Sequence, residues 1–96
     1  MIDSPPNTAP VLVYTTSSCG YCVAAKRLLS RLQIPFDEVD LTRDWDLRER
    51  LSEENDGYRT VPMIYVDGRF IGGFDQLSAM ERQGRLKHLE PTSPRP

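Results

Sequence analysis

An α/β fold built on one sheet is predicted by three features of this 96-residue chain. A short apolar run leads into an amphipathic helical segment near the start, an Asp-Gly pair sits between two strand-like runs later on, and the length allows only one modest core. The expected order is β-α-β-α-β-β-α. The two early strands should be parallel, because a helix joins them, and the late hairpin should run antiparallel to both.

The first strand is read at Val11-Leu12-Val13-Tyr14, an apolar run ending in Thr-Thr-Ser-Ser. Ala25, Leu28, Leu29 and Leu32 then recur at i, i+3, i+4 and i+7, one stripe of a helix over about Gly20 to Gln33, with Pro35 as its stop. Phe36 to Leu41 is taken as the second strand, mainly because an apolar segment there completes a β-α-β unit. Asp44 to Asn55 places Leu47 and Leu51 on one face, acids in the first turn and Gly57 past the end, which predicts a polar, partly exposed helix. Val61 to Val66, Asp67-Gly68 and Arg69-Phe70-Ile71 form the hairpin, since Asp-Gly suits a two-residue turn with both φ angles positive. Gly72-Gly73 interrupts, Leu77 and Met80 mark a helix from Phe74 to about Gln83, Gly84 ends it, and Leu86 and Leu89 suggest one short last turn.

Composition narrows the function. Twelve Lys and Arg against fourteen Asp and Glu give a net charge of −2, well mixed along the chain, so no basic stripe invites nucleic acid. No apolar run is long enough for a membrane span, and residues 1–10 lack the basic flank and apolar stretch of a secretory signal, so a cytosolic protein is expected. Residues 1–10 and 90–96, rich in Pro and small polar residues, are expected to be disordered tails around a domain at 11–89. The two cysteines lie three residues apart, too few and too close to staple a secreted scaffold.

Three motifs carry chemistry. Cys19-Gly20-Tyr21-Cys22 falls where a strand gives way to a helix, so Cys19 should face the free N–H groups of a helix start, which favours its thiolate. Cys22, one turn on, sits on the same face and suits the resolution of a mixed disulfide. Half a zinc site or a structural pair are the alternatives, but zinc wants four ligands and the chain adds only His88. Thr60-Val61-Pro62 opens a strand with a residue that cannot donate to the ladder: a plain strand-start proline, an edge, a bend or a cis bond. Gly72-Gly73-Phe74-Asp75 joins strand to helix, either as a simple turn or as a close approach that offers N–H groups to a carboxylate.

In order and spacing, Tyr14, the Cys-Gly-Tyr-Cys box, Arg59-Thr60-Val61-Pro62, Asp67-Gly68 and Ile71-Gly72-Gly73-Phe74-Asp75-Gln76-Leu77 together resemble the glutaredoxins over nearly all of residues 11–89. The resemblance implies a thioredoxin-like fold with a four-stranded mixed sheet, and an enzyme that exchanges disulfides with glutathione. Its partners would be glutathione and disulfide-bonded or glutathionylated proteins, and the chain would be a monomer. Carried over, Cys19 is the nucleophile and Cys22 the resolver. Val61 would pair its backbone with the tripeptide's cysteine unit beside a cis-Pro62. The γ-glutamyl carboxylate would lie on the N–H groups of Phe74 and Asp75 after Gly73, the Asp75 side chain would face the ammonium, and Tyr21 would shelter the sulfur. Thr60 completes this set.

Two positions depart from the family pattern. Thr16 stands where members with two active-site cysteines commonly have lysine, so Arg59 or Arg48 would have to hold the glycine carboxylate of glutathione. Gly20 stands where such members more often have proline. In this family a non-proline residue there accompanies a two-iron, two-sulfur cluster, held between two chains by Cys19 from each and two glutathiones, which is the alternative function for this chain, as a homodimeric cluster carrier or redox sensor.

Overall fold

The computed structural model describes residues 9–90; the tail segments at 1–8 and 91–96 lie outside the described residues. Its elements are β1 (Val11–Thr15), α1 (Gly20–Arg31), β2 (Phe36–Asp40), α2 (Trp45–Glu54), β3 (Met63–Val66), β4 (Arg69–Gly72), α3 (Phe74–Arg82) and a closing 3-10 turn, Lys87–Leu89. The four strands form one mixed sheet in the order β2-β1-β3-β4. β1 pairs in parallel with β2 and antiparallel with β3, and β3 pairs antiparallel with β4. The expected sheet is therefore present.

Period-two alternation along the central strands divides the apolar residues between two faces. Val11 and Val13 of β1 and Ile64 and Val66 of β3 join Ala25, Leu28 and Leu29 of α1 and Leu77 of α3 in one cluster. The other parity packs Met63 with Leu41, Leu51 and the aromatic rings of Tyr14, Tyr65 and Phe70 on the α2 side. Each fully buried aliphatic side chain contributes about 1.5–3 kcal/mol. α1 is thus clamped on the sheet by its apolar stripe, and its N-terminus is held beyond the end of β1.

Element ends differ from the sequence expectations in ways that local chemistry explains. α1 stops at Arg31 rather than Gln33, because Gln33 turns left-handed (φ 60°) and the Ile34 N–H closes back on the Leu29 carbonyl at 2.9 Å. The helix is finished before Pro35 can act on it. β3 begins at Met63, not Val61: Pro62 has no N–H for the ladder, and the Val61–Pro62 peptide bond is cis. Gly72 stays in β4, opposite Ile64, with φ 116° after a bulge at Ile71. Asp44 and Asn55 are the caps of α2 and not its ends, with the Leu47 N–H donating to the Asp44 carboxylate at 3.1 Å. The turn at Asp67 and Gly68 has φ of 52° and 82°, the primed geometry expected of that pair. The Pro10 carbonyl accepts from the Asp67 N–H at 2.8 Å, which ties the residue before β1 to the hairpin turn. No helix among the described residues is long and apolar enough to cross a membrane.

One polar network ties α1 to the parallel strands. Glu38 of β2 accepts from the buried Thr15 hydroxyl at 2.8 Å and from the Lys26 ammonium at 2.9 Å. Burial pushes the Glu38 carboxyl up, but the hydrogen bonds from Lys26 and Thr15 outweigh it, and the net direction is below the ordinary value. Stability from this group is complete above the ordinary 4.5 and is lost as pH falls through the lower folded value. Glu38→Gln should lower stability at pH 7 by no more than about 1 kcal/mol, the usual range for a pair this open to water. In thermal melts the gap from wild type should close as pH drops below 4.5, and a gap independent of pH would remove the carboxylate from this role.

Candidate active site

Where β1 ends, the chain runs through 16–18 into Cys19, the N-cap of α1, whose extended backbone (φ −131°, ψ 106°) starts the helix without being part of it. A helix start leaves its first N–H groups unsatisfied. Here the Cys19 sulfur takes the place of a capping oxygen and accepts from the Cys22 N–H at 3.0 Å. No acidic residue occupies the first turn of α1 to oppose negative charge at that sulfur. Cys22 is joined to Cys19 as a disulfide and is 2% exposed, whereas Cys19 is only half-buried. The two sulfurs are therefore unequal: one is open to a partner and the other is reached through it.

Two further segments converge on this point. The Cys19 sulfur lies 3.5 Å from the Val61 carbonyl oxygen, beside Pro62. A cleft of about 290 Å³ opens there. Thr60, Val61 and Pro62 form one of its walls, Gly73, Phe74 and Asp75 another, and Tyr21 completes it. Tyr21 is 66% exposed and stacks on Phe74 with ring centroids 6.2 Å apart, so the box residue and the α3 start close on each other across the cleft. At the α3 start the Gly73 N–H is taken by the Gln76 side-chain carbonyl at 2.8 Å. Phe74 and Asp75 follow with first-turn amides that the helix itself cannot satisfy.

Of the sequence-predicted residues, Tyr21, Thr60, Val61, Pro62, Gly73, Phe74 and Asp75 line the cleft, the Cys19 sulfur lies against its Val61 wall, Cys22 is buried behind Cys19, and Arg59 stands apart. Arg59 lines a neighbouring recess with Trp45, Arg48 and Glu49, where its guanidinium lies 3.6 Å from the Glu49 carboxylate. Its backbone carbonyl faces the Arg48 guanidinium at 3.4 Å. His88, the remaining candidate metal ligand, sits against Asp67 at 2.8 Å, and the described residues hold no group of three or more His, Cys, Asp and Glu able to hold a metal ion. Two cleft residues were not foreseen, Tyr58 and Gln76. Gln76 stands three residues after Gly73, the spacing of a side chain that reaches back to an N-cap amide, and that spacing could have marked it. Tyr58 carries no such signal, because its place depends on the fold of α2 and β4.

Comparison with known proteins agrees with this geometry. The family model described as "Glutaredoxin" matches residues 11–71. This chain belongs to the glutaredoxin family. A glutaredoxin of Pseudomonas aeruginosa is 41% identical over 80 residues, covering 83% of this chain and 94% of its own length. Glutaredoxin 1 of Rickettsia conorii is 34% identical over 86 residues, 88% of this chain and 84% of the relative. Among solved structures, a buckwheat glutaredoxin–glutathione complex superposes with a TM-score of 0.78 at 30% identity, covering 88% of this chain and 78% of that one. As a glutaredoxin the chain has a thioredoxin-like fold and a Cys-x-x-Cys pair that fits a dithiol active site.

Glycine at 73 is required by close approach. A Cβ built there would lie 2.8 Å from the Tyr58 hydroxyl and 3.4 Å from the Pro62 carbonyl oxygen. Gly73→Ala should cost about 1–3 kcal/mol, the range for an overpacked site. Tyr58→Phe in that background should restore most of it by removing the colliding oxygen. Melting temperatures of the four proteins in this cycle measure the coupling, and strictly additive effects would place the strain elsewhere.

Proposed function

We propose that this glutaredoxin is a glutathione-dependent thiol–disulfide oxidoreductase that reduces protein–glutathione mixed disulfides and protein disulfides. One observation carries the reading: the more exposed cysteine sulfur sits at a helix N-terminus and lies against Val61, a wall of the cleft that the α3 start also bounds. In the proposed cycle the Cys19 thiolate attacks the glutathione sulfur of a mixed disulfide. A bond forms between Cys19 and glutathione, the protein–sulfur bond breaks, and the released protein thiolate takes up a proton. A second glutathione thiolate then attacks the Cys19-bound glutathione, leaving as glutathione disulfide and freeing the Cys19 thiolate. For a protein disulfide, Cys19 makes the mixed disulfide, and Cys22, giving up its proton, attacks the Cys19 sulfur and expels the second protein thiolate. The Cys19–Cys22 disulfide so formed is reduced by two glutathiones, which depart as glutathione disulfide.

In this reading glutathione lies extended in the cleft. Val61 pairs its backbone with the cysteine unit beside Pro62. The γ-glutamyl carboxylate sits on the Phe74 and Asp75 amides, with the Asp75 side chain on the ammonium, and Tyr21 covers the sulfur. Thr60 leads toward the recess of Arg59 and Arg48, so either arginine can hold the glycine carboxylate in place of a lysine at position 16. The glutathione complex of the buckwheat relative supports the choice of ligand. A cluster shared between two chains has only Gly20 in its support. A cytosolic monomer is the setting that fits a transient, catalytic disulfide.

Reduction of a small glutathione mixed disulfide, coupled to glutathione reductase and NADPH, tests the roles. Cys19→Ser should fall to background. Cys22→Ser should keep activity within a few-fold on that substrate while losing turnover on protein disulfides. An inactive wild type, or an active Cys19→Ser, would overturn the proposal.

A further inference from the structure

Tyr58 lines the cleft yet has no task in the exchange chemistry. Two left-handed residues after α2, Asp56 (φ 59°) and Gly57 (φ 83°), turn the chain back toward the sheet, and the Tyr58 N–H closes the turn on the Asn55 carbonyl at 3.2 Å. The ring then packs edge-on against Phe70 with centroids 5.0 Å apart, over the cluster of Leu41, Leu51 and Met63. This packing fixes where the hydroxyl emerges, which is against Gly73 at the start of α3, 2.8 Å from where a Cβ would be. Among the described residues that hydroxyl has no protein hydrogen-bond partner, while its ring is held by Phe70. With the Gly73 amide occupied by the Gln76 carbonyl oxygen, the open donors at this end of the cleft include the Phe74 and Asp75 amides and the Tyr58 hydroxyl.

We infer that Tyr58 is a specificity residue, whose hydroxyl donates a hydrogen bond to the α-carboxylate of a γ-glutamyl peptide seated on the α3 N-terminus. The inference rests on the reading that glutathione occupies the cleft. Two backbone amides on a helix start accept any small anion. A third donor approaching from the α2 side fixes where the carboxylate lies and so selects a γ-linked glutamyl group, whose carboxylate and ammonium stand on one carbon. A peptide lacking that unit leaves the hydroxyl with nothing to bind.

Single-turnover transfer onto reduced Cys22→Ser protein tests this with two probes, the mixed disulfides of 2-mercaptoethanol with glutathione and with cysteinylglycine, each reacted with and without Tyr58→Phe. For the glutathione probe, the half-saturating concentration should rise about ten-fold or more, the size expected for a hydrogen bond to a charged acceptor, with the limiting rate unchanged. The cysteinylglycine probe should react equally with both proteins, and their melting temperatures should match. An equal effect on both probes, or none on either, overturns the role of Tyr58 while leaving the glutathione reading intact if the protein without the Tyr58 change still prefers the glutathione probe. If that preference is absent, the cleft reading fails and the inference with it.

Discussion

The hydrogen bond from the Cys22 amide to the Cys19 sulfur is the interaction on which the rest of this molecule turns. It exists because Cys19 occupies an N-cap, and N-caps are where a helix has amide hydrogens to spare. A serine or aspartate in that place would only stabilise the helix. A sulfur in that place becomes a better anion, and an anion of sulfur is what attacks a disulfide. In the proposed reading, stability of α1 and reactivity of Cys19 are two consequences of one contact.

The remainder of the fold brings partners to that sulfur. β1 lies between β2 and β3, so the loop leaving β1 emerges beside the segment that enters β3, and Val61 and Pro62 arrive at the Cys19 sulfur from a neighbouring strand. β4 then returns the chain so that the α3 start faces the same cleft, where Phe74 meets Tyr21. α1 and α3 share one apolar cluster under the sheet, which fixes the two helix N-termini relative to each other. The aromatic chain on the opposite face, Tyr58 on Phe70, Phe70 on Tyr65 and Tyr65 on Tyr14, supports the far wall. Core packing and site geometry depend on the same strands.

Much of this was legible in the residues themselves. The stripe of Ala25, Leu28 and Leu29, the Asp67-Gly68 turn and the apolar run from Val11 to Tyr14 each mark their element by a single local rule, and all are in place in the fold. The ends of elements were less legible, because they depend on residues taking conformations that composition does not advertise: a left-handed Gln33 ends α1 early, and Ile71 is accommodated as a bulge. Within the cleft, the cysteines and the Thr60–Pro62 and Gly73–Asp75 segments announce themselves as short motifs. Tyr58 does not, since its ring is oriented by Phe70 twelve residues later and its hydroxyl matters only next to a Gly73 with no side chain. Arg59 belongs with the cleft by its neighbours in sequence, yet its side chain turns to Glu49 on α2.

In the proposed reading the start of α1 makes Cys19 a thiolate at neutral pH. The most direct test of this is the pH dependence of alkylation of Cys19 in the reduced Cys22→Ser protein. A titration midpoint well below the ordinary thiol value of about 8.5 is the expected result. A midpoint at or above that value would contradict the claim and leave the sulfur without its activation.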